Sequence, residues 1–144
     1  MDDRQKLEQM VNEINMYQSQ LDILKQQIET VKASLSELTS AEETLNSMEG
    51  KEGTETFVPI GAGSFIITEL KSTDKVIMGL GAGAAAKRNI GEAKEGISSQ
   101  KKELEELMNK MSGDIQKLTD FIVRKSPEAE AMLRKLEAGE AGQQ

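Results

Sequence analysis

The chain has 144 residues and a formal net charge of −7, with three Phe, one Tyr and no Trp to fill a thick core. An acidic surface repels phosphate backbones, so we expect no nucleic-acid partner. Because there is no Cys and no His, disulfides and thiolate ligands are excluded and the commonest catalytic base is missing. We therefore expect no metal, no cofactor and no enzymatic activity.

Residues 1–49 are predicted to form a long coiled-coil helix. Apolar residues recur at every seventh position from Leu7 and again from Met10, and Glu42 is the one break between residues 7 and 45. A seam this long is typical of a coiled coil and needs a partner helix. Gly50 is the predicted C-terminal stop.

A capping box at Thr39-Ser40 and Glu43 would allow the first helix to break there. We favour an uninterrupted helix, because Leu38 and Leu45 keep the seven-residue register on either side.

Residues 50–88 alternate with period two, which predicts two β-hairpins. The strands are expected at 54–60, 64–70, 74–80 and about 83–87, with Gly-Ala-Gly turns in both hairpins. Pro59 indicates an edge position or a bulge. The apolar hairpin faces exceed what a lone four-stranded sheet can hide, so we expect these residues to drive oligomerisation: Phe57, Val58, Ile60, Phe65, Ile67, Val76 and Met78.

Residues 89–136 are predicted to form the second coiled-coil helix. One row runs through Ile90, Ile97, Leu104, Met111, Leu118, Lys125 and Met132, and a second drifts from Ala93 and Leu107 to Ile115, Ile122, Ala129 and Leu136. Ser126-Pro127 predicts a kink or a restart. Residues 137–144 are predicted to be a disordered tail.

These elements predict an α+β, mostly helical fold. The two helical arms are of similar length and flank one β segment, so they should fold back as an antiparallel coiled coil. No run approaches the ~18 apolar residues of a membrane span and the first residues do not resemble a signal peptide, so we expect a cytoplasmic protein with no membrane contact.

Two features resemble catalytic or cofactor motifs but lack their context. Gly79, Gly81 and Ala84 have the spacing of a dinucleotide fingerprint, yet no βαβ unit with a second parallel strand follows. The acidic cluster at Glu103, Glu105 and Glu106 has no His beside it and is expected on a solvated helix face.

The chain closely resembles the alpha type of the archaeal prefoldin family. The specific residues are Val-Pro-Ile-Gly-Ala-Gly-Ser-Phe-Ile at 58–66 and Lys-Val-Ile-Met-Gly-Leu-Gly-Ala-Gly at 75–83, between the two heptad arms. Two hairpins resemble the alpha type, because the beta type has one.

This resemblance implies a hexamer of two alpha-type and four beta-type subunits, whose hairpins merge into intersubunit β-barrels. Such assemblies capture unfolded proteins without ATP and deliver them to a group II chaperonin. Client contact near the free ends of the coiled coils would here involve Leu7, Met10, Val11, Ile14, Ile122, Met132, Leu133 and Leu136.

Methionine suits a surface that binds many unrelated apolar segments, and Met1, Met10, Met16 and Met132 lie towards the ends of the chain. The alternative is a structural coiled-coil adaptor that recognises one folded partner and ignores unfolded chains.

Overall fold

The computed structural model describes residues 2–142. In chain order two long helices flank two antiparallel hairpins, so the predicted fold class is confirmed. In chain order the elements are α1 (Asp3–Met48), β1 (Glu55–Gly61), β2 (Ser64–Glu69), β3 (Lys75–Gly81), β4 (Ala84–Asn89) and α2 (Ile90–Gly142).

The chain divides into two units, each with its own pair of helical segments. The hairpin unit comprises residues 34–105, and the terminal unit comprises residues 2–33 and 106–142. The helices are antiparallel in both. In the hairpin unit Glu42 pairs with Lys101, and in the terminal unit Arg4 pairs with Glu140.

Helix α1 is uninterrupted, as its register predicts. Asp2 caps its start, because the Asp2 carboxylate accepts a 2.8 Å hydrogen bond from the Gln5 backbone N–H while the Gln5 side chain accepts one from the Asp2 N–H. At the other end Gly50 has φ +76, the left-handed conformation that ends helices. The Thr39-Ser40 capping box therefore goes unused.

Thr73, in the connection between the two hairpins, holds the end of α1 in place. Its hydroxyl accepts a 3.0 Å hydrogen bond from the Gly50 backbone N–H and donates to the Glu52 carboxylate. Thr73 is the one buried polar residue among residues 2–142, with 6% of its surface exposed. This bond satisfies a buried hydroxyl that would otherwise destabilise the fold.

Both hairpins turn through a two-residue Ala-Gly loop with positive φ angles, which is the geometry of a type I′ turn. In the first, Ala62 has φ 51 and Gly63 has φ 70. The strand register shifts between Pro59 and Gly61, so the predicted bulge at Pro59 is present. The second hairpin repeats the turn at Ala82 and shifts register between Gly79 and Gly81.

Helix α2 begins at Ile90 with a cap that the sequence analysis missed. The Asn89 side-chain oxygen accepts a 2.8 Å hydrogen bond from the Glu92 backbone N–H, and the Asn89 amide donates to the Glu92 carboxylate. Of the predicted kink or restart at Ser126-Pro127, the restart is wrong, because the helix continues through Pro127. Backbone hydrogen bonds in the neighbouring turns maintain the helix despite the single bond that proline removes.

The C-terminal end also differs from the predicted disordered tail. Helix α2 continues to Gly142, and Glu140 forms an ion pair with Arg4 of α1. Glu and Ala favour helix, and the antiparallel α1 gives this last stretch a neighbour to pack against. Residues 143 and 144 lie outside the described residues.

The core is a narrow seam between the helices. The buried apolar residues are Leu21, Ile28, Met111 and Ala129 in the terminal unit, and Ala93 and Ile97 in the hairpin unit. The predicted drift of the second α2 row is wrong at Leu107, which is 44% exposed, whereas Met108 is half-buried. Met108 precedes Ile115 by one heptad, so this row keeps the strict seven-residue period.

The break in the α1 seam at Glu42 is matched by a break in α2. Lys101 lies one heptad before Met108, and its ammonium is 3.3 Å from the Glu42 carboxylate, with 22% and 32% of the two side chains exposed. One heptad later in α1 and one heptad earlier in α2, Glu49 pairs with Lys94. Two successive layers of the hairpin unit thus use complementary charges, which penalises a shift in register.

Replacing Glu42 with Lys should destabilise the helix pair by about 1–2 kcal/mol, because it places two partly buried ammonium groups together. The swapped double variant E42K/K101E should recover most of that loss. Chemical unfolding followed by circular dichroism measures both. The exposed neighbour Glu43→Lys serves as the control, and a double variant no more stable than E42K would contradict the pairing.

The stability of the Glu52–Thr73 contact should depend on pH. The Thr73 hydroxyl, followed by backbone N–H donors, lowers the pKa of Glu52 below its ordinary value of 4.5. The stabilisation is therefore complete above that ordinary pKa and is lost as the pH falls through the lowered one.

Thermal unfolding measured from about pH 6 down to about pH 2 should show a smaller acid-induced loss in Glu52→Gln than in the unmodified chain. Thr73→Val should reduce the acid sensitivity in the same way. Equal acid sensitivity in all three proteins would contradict this role of the contact.

Candidate functional site

Exposed apolar side chains lie on both the hairpins and the helices of the described residues. Among residues 2–142 no group of three or more Asp or Glu side chains is placed to hold a metal ion. No helix in that range is long and apolar enough to cross a membrane. Glu103, Glu105 and Glu106 are exposed on α2. The Gly79–Gly81 segment leads into the antiparallel strand β4, so the dinucleotide spacing has no βαβ context.

The terminal unit contains a groove of about 670 Å³, which we call the methionine groove. It is lined by Lys6, Gln9, Met10, Asn12, Glu13, Met16, Lys125 and Met132. Three flexible thioethers form its apolar part, and polar side chains surround them. Thioether side chains adapt to differently shaped apolar partners, unlike a rigid pocket.

The predicted client-binding residues fall into two classes. Val11 and Leu133 are exposed, at 40% and 46%. The others are half-buried along the seam: Leu7, Met10, Ile14, Ile122, Met132 and Leu136. Of the whole set, the structure brings Met10 and Met132 together in the methionine groove.

Met16 also lines the groove and is 49% exposed. It was not among the predicted contact residues, because it lies outside the seam. Its position six residues after Met10 carries no periodic signal, so only packing reveals that it shares the groove with Met132. Met1 lies outside the described residues.

An aromatic contact holds the helices together within the terminal unit. The rings of Tyr17 and Phe121 meet edge to face with centroids 4.6 Å apart, and the Arg124 guanidinium carbon lies 5.9 Å from the Phe121 centroid. Such an aromatic pair contributes about 0.5–1.5 kcal/mol beyond its buried area. Two of the four aromatic residues thus support the helix pair that carries the groove.

The first hairpin is apolar and exposed on both faces. Phe57 is paired with Ile67 on one face, and the two are 62% and 67% exposed. Val58 is paired with Ile66 on the other face, and they are 48% and 52% exposed. A sheet open on both faces needs further packing to persist. The remaining predicted oligomerisation residues on this hairpin, Ile60 and Phe65, are 60% and 59% exposed.

The second hairpin is exposed on one face only. Val76 and Met78 are half-buried and, together with Ile77, line a groove of about 760 Å³ beside helix residues such as Leu45 and Ile97. The exposed apolar residues are instead Ile77 and Leu80, at 69% and 59%. Sequence alternation identified both faces but not which one the helices cover.

The open end of the first hairpin carries an unfavourable charge pair. Glu55 lies directly opposite Glu69, and like charges at opposed strand positions destabilise a ladder. The second hairpin is basic at its corresponding end, where Lys75, Lys87 and Arg88 lie on the paired strands. The hairpins therefore have opposite charge.

Comparison with known proteins identifies the family. The model of the family described as "Prefoldin subunit" matches residues 17–135. The prefoldin subunit alpha of Methanobrevibacter smithii is 46% identical over 132 residues, which cover 92% of this chain and 90% of that protein. The prefoldin subunit alpha of Methanosphaera stadtmanae is 43% identical and covers 93% of this chain and 96% of that protein.

A solved structure shares the fold. The cryo-EM structure of filamentous PFD from Methanocaldococcus jannaschii superposes with a TM-score of 0.65 at 24% identity, covering 77% of this chain and 93% of that one. With the family match extending over most of both helices and both hairpins, the chain belongs to the prefoldin family, whose members are chaperone subunits.

Proposed function

We propose that this chain is the alpha-type subunit of an ATP-independent holdase, a hexamer of two alpha-type and four beta-type subunits that captures unfolded proteins and delivers them to a group II chaperonin in the cytoplasm. The observation that carries the proposal is the pair of exposed apolar surfaces, one on the hairpins and one in the terminal unit. The proposal assigns assembly to the first and client capture to the second.

The hairpin surface supports assembly. The largest apolar side chains of the first hairpin are all about half or more exposed, and burying each contributes about 1.5–3 kcal/mol. Partner strands paired with the open edges would extend the sheet, and its closure into the intersubunit β-barrels would bury apolar side chains inside. A cation from a partner beside Glu55 and Glu69 would also offset their mutual repulsion.

The terminal unit supports client capture. Its groove contains three thioethers. The exposed residues Val11 and Leu133 directly follow two of these methionines in the sequence. Each apolar contact in such an open site is only partly buried, so a single arm binds weakly. Several arms acting on one unfolded chain raise the apparent affinity through effective concentration.

Capture should be broad and should need no nucleotide. Reconstituted with a beta-type subunit, the chain should suppress the aggregation of several unrelated denatured proteins, measured by light scattering without ATP. Met16→Gln should weaken capture about two- to fivefold, because it removes an exposed groove contact outside the helix seam.

The matched control is Ile23→Gln, which alters a 54% exposed residue one heptad further along the same helix face and outside the groove. Capture unaffected by Met16→Gln would move the client site elsewhere. Binding to one folded partner with no effect on denatured proteins would favour the adaptor alternative.

Assembly should depend on both faces of the first hairpin. Replacing Val58 and Ile67 with Asp places one carboxylate on each face, and burying these charges in an interface is strongly unfavourable. Native mass spectrometry with the beta-type subunit should then show free subunits, while circular dichroism shows retained helix. The apolar exchange V58I/I67V should still assemble, and an intact complex of the Asp variant would contradict the proposed interface.

A further inference from the structure

The methionines of the described chain occupy sharply different environments. Met16 is 49% exposed, whereas Met111 is 6% exposed. Met10 and Met132 are half-buried and line the same groove as Met16. Oxidation of methionine follows access to the thioether, so these positions differ in susceptibility.

We propose that the methionine groove is an oxidation site, at which peroxide converts Met16, and with it Met10 and Met132, to sulfoxides that switch off client capture. This inference rests on the proposed capture function. Three of the thioethers in the chain converge on one open surface. We therefore expect an oxidant that reaches this surface to oxidise all three.

The chemistry requires only a hydroperoxide as oxidant. A sulfur lone pair attacks the peroxide oxygen, the O–O bond breaks, and a sulfur–oxygen bond forms. The thioether is oxidised by two electrons, and the peroxide is reduced to water or an alcohol after proton transfer. The product is a polar sulfoxide, which reductases of methionine sulfoxide convert back to the thioether.

The position of Met16 separates loss of capture from loss of structure. Met10 and Met132 lie in the seam rows of their helices, so oxidation there also weakens the helix pair. Met16 lies outside the seam, and its sulfoxide changes the groove surface without disturbing the core. A polar, hydrogen-bonding group in the groove removes the apolar contact that an unfolded segment would bury.

The test uses the reconstituted assembly treated with hydrogen peroxide. Among the methionines of residues 2–142, peptide mass spectrometry should find Met16 oxidised first and Met111 last. Capture of a denatured client should fall about threefold or more as the groove methionines oxidise. The M10L/M16L/M132L variant, compared with its own untreated level of capture, should show no further loss after treatment.

The matched control carries Leu at two half-buried methionines outside the groove, M48L/M108L. It should stay as sensitive to peroxide as the unmodified chain. Methionines of the partner subunit are identical in all assemblies, so differences between variants report on this chain alone.

Capture that persists after Met16 is fully oxidised would overturn this inference while leaving the proposed function intact. So would equal peroxide sensitivity of the M10L/M16L/M132L variant, or oxidation of Met111 as fast as Met16. No capture by the untreated assembly would contradict the proposed function itself, and the switch with it.

Discussion

The structure depends on one constraint, which is that neither long helix can bury its apolar seam without the other. The seam is narrow, and its buried members are mostly single aliphatic side chains such as Leu21 and Ile28. Stability therefore comes from many small layers rather than from a thick core. A seam of similar layers tolerates slippage, and the charged layers at Glu42–Lys101 and Glu49–Lys94 oppose it.

The hairpins also lack enough packing partners within the chain to bury their apolar side chains. The second hairpin places Val76 and Met78 toward its own helices, whereas the first leaves both faces exposed. The Thr73 hydroxyl connects the end of α1 to the segment between the hairpins, so the hairpins are held at a defined exit from the helix. A positioned but uncovered sheet is suited to pairing with other subunits.

The terminal unit combines a stabilised pair of helices with a surface that can adapt to different partners. The Tyr17–Phe121 contact and the Arg4–Glu140 pair hold the two helices together, while the methionine groove remains open beside them. The same thioethers that make the surface adaptable also make it oxidisable, because flexibility and a polarizable sulfur are properties of one side chain. In the proposed capture site, adaptability and sensitivity to oxidants would thus come from the same residue type.

The sequence by itself determined the elements and their order. Heptad spacing from Leu7 and Ile90 predicts the helices, period-two alternation with Gly-Ala-Gly turns predicts the hairpins, and the motif at 58–66 indicates the family, because each of these signals is local along the chain. It misjudged Leu107, which lies outside the seam and is exposed, and the expected restart at Pro127, through which the helix continues. It also misjudged the end of α2, where Glu140 pairs with Arg4 of α1. Only tertiary packing decided that Lys101 meets Glu42, which hairpin face the helices cover, and that Met16 joins Met132 in one groove. These relations join residues far apart in the chain, and no periodic pattern encodes them.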